Sequence, residues 1–322
     1  MDRPLPRLTP ARPFAHSRLR IRQLLLVIAL GEQRNLRRAA ATLALAQPAA
    51  TRQLRDLEDT LGVPLFERSR KGMAPTIFGE AMIRYANLVI ADLDSAREEI
   101  GALAAGRSGR IVVGATTSIA PMLLPRALAR LKREQPGLRI VIQESSHELL
   151  IAALARGELD VALVRAAPGG SQQGLRYEVL YSEGFRIVAG LRHRLARAKK
   201  MTLADIADDT WILPPESVPL RRQLDTLFMT SAGRKPRDPI ESASIFTNES
   251  LLQHAPFLAV MPESTARRFA RRRLLAVLPI ALKGLVGPVA LVMRDPSPLS
   301  PAVQSLVSAL RAEVARLRPR GA

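Results

Sequence analysis

One stretch restricts the fold of this chain more than any other. It is Asn35–Gly79, NLRRAAATLALAQPAATRQLRDLEDTLGVPLFERSRKGMAPTIFG. Ala39, Ala40 and Leu43 share one helical face, and the alanine pair lets a second helix approach closely. Ala44-Leu45-Ala46 reads as a turn. Pro48 suits the first turn of a new helix, where its missing N–H removes no bond. Ala50, Leu54, Leu57 and Leu61 then line one face of that helix, and Gly62 ends it. Upstream, Ile21, Leu24, Leu25, Ile28 and Ala29 recur at three-to-four spacing and predict an amphipathic helix over 20–32. Short helices this close together, joined by turns, can only pack as a small helical head.

The polar face of the second helix carries the chemistry. Gln47, Thr51, Arg52 and Arg55 fall largely opposite the leucine stripe. Gln and Arg can bond base edges, and Arg can also hold phosphates, so this face fits a DNA major groove. A solvated face on a bundle helix has the same pattern. Val63–Phe66 and Met73–Pro75 read as two short strands around Arg68-Ser69-Arg70-Lys71-Gly72. That hairpin is a wing, with Arg70 and Lys71 at its tip suited to backbone or minor-groove contact. Thr76 is placed to cap the following helix, with Glu80 near its positive end. The formal charge of +19 favours a polyanionic partner, although a genome that prefers arginine codons gives a similar excess.

Residues Arg37–Ala86 resemble the DNA-binding domain of LysR-type transcriptional regulators. The alanine pair, the Gln-Pro-Ala helix start, Leu57-Glu58 with Leu61-Gly62, Leu65-Phe66-Glu67-Arg68, the wing and Thr76-x-x-Gly79 all match. In one respect the chain departs from the family: Ala46 stands where Ser or Thr usually precedes Gln-Pro. That removes a side-chain cap worth about 1 kcal/mol and a phosphate contact. Glu32–Arg38 together with Asp56–Asp59 most resembles the branch typified by galactose-binding-protein regulators.

A long helix is predicted over 79–103. Phe78, Met82, Tyr85, Val89, Leu93, Ala96, Ile100 and Leu103 step by three or four and form a seam, either for a partner helix or for the chain's own core. The resemblance implies antiparallel pairing of such helices, hence a homodimer or homotetramer. Small residues from Gly101 to Gly109 mark a hinge.

Beyond the hinge, strand and helix alternate, which implies a mostly parallel sheet covered on both faces. Strands are expected at 110–114, 138–143, 159–164, 175–181, 185–189, 240–242, 258–261 and 289–294. Helices are expected at 120–134, 147–156, 203–206, 220–232 and 301–317. The stretches GRIVVGATTSIAPMLLP, GELDVAL and DPSPLSPAVQSLVSALRAEV resemble the family's effector domain. The resemblance implies two periplasmic-binding-protein-like lobes, with the chain crossing between them twice. The whole is an α+β multi-domain chain: a basic arm expected to be disordered (1–17), a winged helix-turn-helix (18–76), a linker helix (77–104) and a two-lobed α/β effector domain (110–318). The first lobe takes about 110–183 and 288–318, the second about 184–287.

Ligands of open α/β sheets bind where strand ends meet helix N-termini. That rule selects Thr116, Thr117 and Ser118 after the first strand, Ser146 after the second, and Thr247 and Asn248 opposite. Their hydroxyls and N–H groups suit a sugar, a carboxylate or a phosphate ester; ordinary helix capping selects the same residue types. In the resemblance, Ser118 falls on a serine that touches the inducer. Arg165 and Arg221 can pair with an anion, or more simply form surface salt links.

Other classes find little support. The chain has no cysteine, and its four histidines are scattered, which argues against a thiolate or His-based metal site. No phosphate-binding glycine loop and no G-x-S-x-G occurs, so no enzyme chemistry and no cofactor is expected. The apolar run Leu24–Leu30 is too short to span a bilayer, and the charge of Glu32–Arg38 spoils a signal peptide. The expected protein is a cytoplasmic regulator that reads an inverted repeat in double-stranded DNA, answers to a small-molecule effector and works with RNA polymerase. A solute-binding protein or an enzyme built on the same lobes is the competing reading.

Overall fold

The computed structural model describes residues 19–69, 72–104, 109–165, 174–282, 284–295 and 299–317. The basic arm, Arg70 and Lys71 at the wing tip, and residues 105–108 of the hinge lie outside them. The chain divides into two units, one within Met1–Gly106 together with Ala155–Glu158, the other formed by Arg107–Leu154 and Leu159–Ala322.

The first unit opens with α1 (Ile21–Gln33), α2 (Leu36–Thr42) and α3 (Gln47–Leu61), followed by β1 (Phe66–Ser69), β2 (Gly72–Pro75) and the long α4 (Ile77–Ala104). Strands β1 and β2 pair antiparallel, Phe66 against Pro75 and Ser69 against Gly72. Leu26, Leu30, Ala39, Ala40, Ala50, Leu57 and Leu65 are buried in one core with Phe66. Both alanines of the pair are fully covered, as a close helix crossing requires. Asn35 caps α2: its side-chain oxygen accepts from the N–H groups of Arg37 and Arg38.

In the second unit the elements are β3 (Arg110–Ala115), α5 (Ala120–Glu134), β4 (Arg139–Glu144), α6 (His147–Ala155), β5 (Val161–Arg165), β6 (Leu175–Ala189), β7 (Trp211–Leu213), α7 (Pro219–Ala232), β8 (Ile240–Glu241), α8 (Ile245–His254), β9 (Leu258–Pro262), α9 (Glu263–Arg271), β10 (Ala276–Val277), β11 (Val286–Arg294) and α10 (Pro301–Leu317). One sheet runs in the order β4-β3-β5-β11-β6-β9-β7-β8, with β10 on β6. Strands β3, β4 and β5 are parallel.

The sequence suggests two strands over 175–189, but the structure has a single strand of 15 residues. Its first half pairs with β11 and its second with β9, so hydrogen bonding continues through Ser182–Gly184. This strand carries the chain from one lobe into the other, and β11 returns it. Each lobe has its own core. Ile111, Val113, Leu163 and Leu291 pack under α5 and α10, whereas Phe185, Ile187, Trp211, Phe228 and Val260 fill the second. Strand β7, with all three residues buried, and helix α9 have no counterpart in the sequence reading. Residues 203–206 form a single 3-10 turn at Ala204–Ile206. Among the described residues no helix is long and apolar enough to cross a membrane.

Candidate functional site

In the head, α3 begins as its sequence dictates. Ala46 is extended (φ −68°, ψ 141°) and offers no side-chain cap. Pro48 has no N–H, and the Ala49 and Ala50 N–H groups bond the Ala46 carbonyl at 3.0 and 3.1 Å. Few first-turn donors are therefore left for a cap to satisfy. Gln47, Pro48, Arg52 and Arg55 are exposed and Thr51 half-exposed, while Ala50, Leu54 and Leu57 are buried on the other side. The Thr51 hydroxyl donates to the Gln47 carbonyl at 3.0 Å, so toward a partner it can only accept. Among the described residues neither Arg52 nor Arg55 has an ion-pair partner. Arg37 and Arg38 on α2 are likewise exposed. They add exposed cations to the head, at the Arg-Arg pair that precedes the alanines.

The wing is held to α3 by a residue that spacing alone does not single out. Glu58 Oε1 accepts from the N–H of Leu65 at 2.7 Å and of Phe66 at 3.1 Å. The far side is closed by Thr76, whose hydroxyl donates to the Pro64 carbonyl at 2.8 Å and accepts from the Gly79 N–H at 3.1 Å. Thr76 is thus the cap its position predicts. A Cβ on Gly79 would collide with the Leu65 carbonyl oxygen, which explains why the last residue of Thr76-x-x-Gly79 has no side chain.

Along α4 the seam divides. Phe78 and Met82 pack onto the head's own core. Tyr85, Val89, Leu93 and Ile100 are 60%, 44%, 47% and 68% exposed, an unusual run of apolar surface on one helix. Ala96 lies exposed among them.

In the second unit, buried polar atoms without an intramolecular partner gather at one kind of place. Among the described residues they include Thr116 Oγ1, His147 Nδ1, Asn248 Oδ1 and Ser264 Oγ. These residues follow, in turn, the C-terminal ends of β3, β4, β8 and β9. Buried polar groups are almost always bonded to protein, water or ligand, so each of these atoms is expected to meet a water or a bound molecule. Thr117 and Ser118 are half-buried in the turn before α5.

The other predicted residues divide in the same way. The Ser146 hydroxyl faces the Leu149 N–H at 3.5 Å, a weak cap on α6. Helix α8 starts earlier than its sequence suggests: Ser244 is its cap, accepting from the Thr247 N–H at 3.2 Å. The Thr247 hydroxyl also turns to Ser244, at 2.9 Å. Asn248 is thereby set one turn in, only 6% exposed. The sequence does not single out His147 or Ser264: the strand-end rule stops at Ser146 after β4, and no helix is expected after β9.

Charged groups lie along the crossing strands. Arg165 bonds Glu183 at 2.7 Å and stacks on Phe185 at 5.1 Å. Glu183 in turn accepts from the Ser264 N–H at 3.1 Å. Arg186 at 2.9 Å holds the Glu263 carboxyl below the usual carboxylate range. Burial pushes the Tyr181 phenol up to about 12. Arg221 is not the surface group expected. It is 7% exposed and bonds Asp225 at 3.1 Å, Glu241 at 2.9 Å and the Pro214 carbonyl at 3.0 Å. The salt link is present, with the guanidinium buried and the Glu241 carboxylate still half-exposed. Among the described residues no three His, Asp or Glu side chains come together as a metal site.

Comparison with known proteins agrees with this architecture. Residues 21–80 match the model for the bacterial regulatory helix-turn-helix protein, lysR family, and residues 104–315 match the LysR substrate binding domain. The HTH-type transcriptional regulator GbpR of Azospirillum brasilense is 34% identical over 304 residues, covering 94% of this chain and 89% of that protein. The HTH-type transcriptional regulator GalR of Pseudomonas putida is 28% identical, covering 90% of this chain and 73% of that protein. Full-length OxyR from Pseudomonas aeruginosa shares the fold with a TM-score of 0.65 at 23% identity, covering 95% of this chain and 100% of the other. So does full-length CbnR complexed with its target DNA, at 0.60 and 23% identity, covering 91% and 99%. These relatives are regulators rather than enzymes. The chain belongs to the LysR family: it is a DNA-binding transcription regulator with an effector-binding domain.

Proposed function

We propose that Gln47, Pro48, Thr51, Arg52 and Arg55 read one half-site of an inverted repeat in the major groove, with Arg70 and Lys71 of the wing on the flanking backbone. What supports this is the exposed cationic face of α3, without ion-pair partners among the described residues, opposite the buried Ala50, Leu54 and Leu57. The apolar run Tyr85, Val89, Leu93, Ala96 and Ile100 joins two such heads into a homodimer, and a homotetramer follows if two dimers associate. Phe78 and Met82 serve the head's own core instead of the pair. The protein acts in the cytoplasm, where a DNA-bound dimer can meet RNA polymerase.

The effector is a small polar molecule, a sugar or a carboxylate, held between lobes of about 110–183 with 288–318 and about 184–287. The single observation that carries this is the set of orphaned polar atoms beyond the strand ends, above all Thr116 Oγ1 just after β3 and Asn248 Oδ1 in the first turn of α8. Thr117, Ser118, Ser146 and Thr247 complete the contact set, the last two with hydroxyls partly engaged in capping. Two substitutions test the reading together. In a thermal-shift screen of sugars and small carboxylates, Ser118→Ala abolishes the ligand-induced shift while DNA binding stays unchanged. Arg52→Ala weakens DNA binding in a gel shift without lowering thermal stability. An unchanged ligand shift in the first, or unchanged binding in the second, removes that residue from its site.

A further inference from the structure

The second lobe carries a concentration of positive charge that neither the head nor the effector cleft uses. Helix α9 and its exit read Glu263-Ser-Thr-Ala-Arg-Arg-Phe-Ala-Arg-Arg-Arg273. Thr265, Ala266 and Phe269 are buried, and Arg271, Arg272 and Arg273 are exposed. Cations in the last turn of a helix are favoured by its dipole, and Arg268 and Arg271 meet that need. Arg272 and Arg273 lie beyond it. The chain then enters β10, where Ala276 pairs antiparallel with Ala189, the last residue of β6. Both segments therefore leave the same end of the same strand pair. The loop after β6 is Arg192-His-Arg-Leu-Ala-Arg-Ala-Lys-Lys200, with Arg192, Arg197, Lys199 and Lys200 exposed.

Local acids do not neutralise this surface. Arg194 takes Asp209 at 2.9 Å and the Asp205 carbonyl at 2.9 Å. Buried His193 faces the same Asp209 at 3.7 Å, and Arg234 takes Asp208 at 2.6 Å. Arg267 is paired with Glu263. Among the described residues Arg192, Arg197, Lys199, Lys200 and Arg271–Arg273 have no ion-pair partner.

We infer that this end of the second lobe is a second nucleic-acid surface, which holds the phosphate backbone of duplex DNA outside the half-site read by the head. The inference rests on the DNA-binding reading above, because a head held on DNA raises the local concentration of backbone around the rest of the chain. The chemistry favours phosphate over an acidic protein. Arginines at protein interfaces contribute most when set in well-packed, desolvated pockets beside aromatic anchors. Here the cations are exposed, and among the described residues Leu191, 52% exposed, is the one large exposed apolar side chain in or beside these two segments. Guanidinium groups match phosphate oxygens in bidentate geometry, and backbone contacts need no register.

The test uses the full chain and a duplex of random sequence. Each phosphate contact contributes about 0.9 to the slope of log K against log salt, so losing three lowers the slope by ~2.7 and reduces the affinity lost between about 50 and about 200 mM salt by roughly 40-fold. Arg271→Gln/Arg272→Gln/Arg273→Gln is expected to show that reduced slope. Arg126→Gln/Arg133→Gln/Arg139→Gln removes the same charge from exposed sites of the first lobe and keeps the wild-type slope. If the helix variant fails to fold, Arg197→Gln/Lys199→Gln/Lys200→Gln in the loop provides the same readout. A wild-type slope in the patch variants overturns the inference, as does an equal fall in the first-lobe variant, which would mean diffuse charge. Failure of the wild-type chain to bind any duplex would instead sink the DNA-reading head itself.

Discussion

Substitution of Glu58 separates the architecture of the head from its surface chemistry. The carboxylate receives two backbone N–H groups, from Leu65 and Phe66, on one oxygen. Leu65 and Phe66 are only 1% and 7% exposed, so Glu58→Ala leaves two poorly hydrated donors without an acceptor. Hydrogen bonds to a charged group contribute about 1.5–3 kcal/mol each. Glu58 is half-exposed and water can reach part of the gap, so ~2–3 kcal/mol for the pair is the expected loss. Glu58→Gln keeps an oxygen in place and loses the charge, roughly half the bond strength, or ~1 kcal/mol.

The single tryptophan, Trp211, lies in the second lobe, so its fluorescence does not report on the head. Amide hydrogen exchange of peptides covering Gly62–Glu67 in the full chain does. Exchange there is expected to speed up ~30- to 150-fold in Glu58→Ala and ~5-fold in Glu58→Gln, if opening is local and fast. DNA affinity falls in parallel, because the wing loses its tie to the recognition helix. The reasoning fails if Glu58→Ala exchanges at the wild-type rate, or if the Gln and Ala variants are indistinguishable.

Two further outcomes follow from local geometry. Ala46→Ser supplies the missing cap, but Pro48 has no N–H and the Ala49 N–H is already bonded. The gain in stability is therefore ~0.5 kcal/mol or less by urea denaturation, below the usual cap contribution; a gain above about 1 kcal/mol would show those first-turn donors to be unsatisfied. His193 has a side chain 2% exposed, and its Nδ1 accepts the Leu195 N–H at 3.1 Å. Burial lowers its pKa, with Asp209 opposing. The unfolded chain takes up this proton near pH 6.5, the folded chain only at lower pH. Stability of the second lobe is thus unaffected above about pH 7 and falls as pH drops below about 6.5, levelling off once the folded histidine also protonates. His193→Asn keeps an acceptor and should flatten that fall in Trp211 fluorescence melts; an unchanged pH profile refutes the assignment.

The head was legible because its sequence rules act over a few residues. Pro48 at the helix start, Gly62 at its end, the leucine stripe and Thr76-x-x-Gly79 each fix one local geometry. Contacts that join distant residues were not legible. The bonds from Glu58 to Leu65 and Phe66 reach seven and eight residues along the chain, and periodicity is blind to them. Strand β6 looked like two strands because Ser182-Glu183-Gly184 is a poor strand sequence, yet its continuous pairing with β11 and β9 overrides propensity. Helix α9 was hidden by its three arginines, which equal in number the narrow buried stripe of Thr265, Ala266 and Phe269. In the effector domain, residue type drew attention to Thr247, a residue engaged by Ser244, as strongly as to Asn248, a buried orphan. Only the position of Ser244 as the true cap distinguishes them.

The most direct test of the proposed ligand-controlled DNA reading is a nuclease footprint of the full chain on the proposed inverted-repeat site, with and without the ligand found by thermal shift. Lobe closure around Thr116 and Asn248 is expected to alter how far the protected region extends, or where the DNA becomes hypersensitive. Footprints that stay identical with and without every ligand that binds would contradict it.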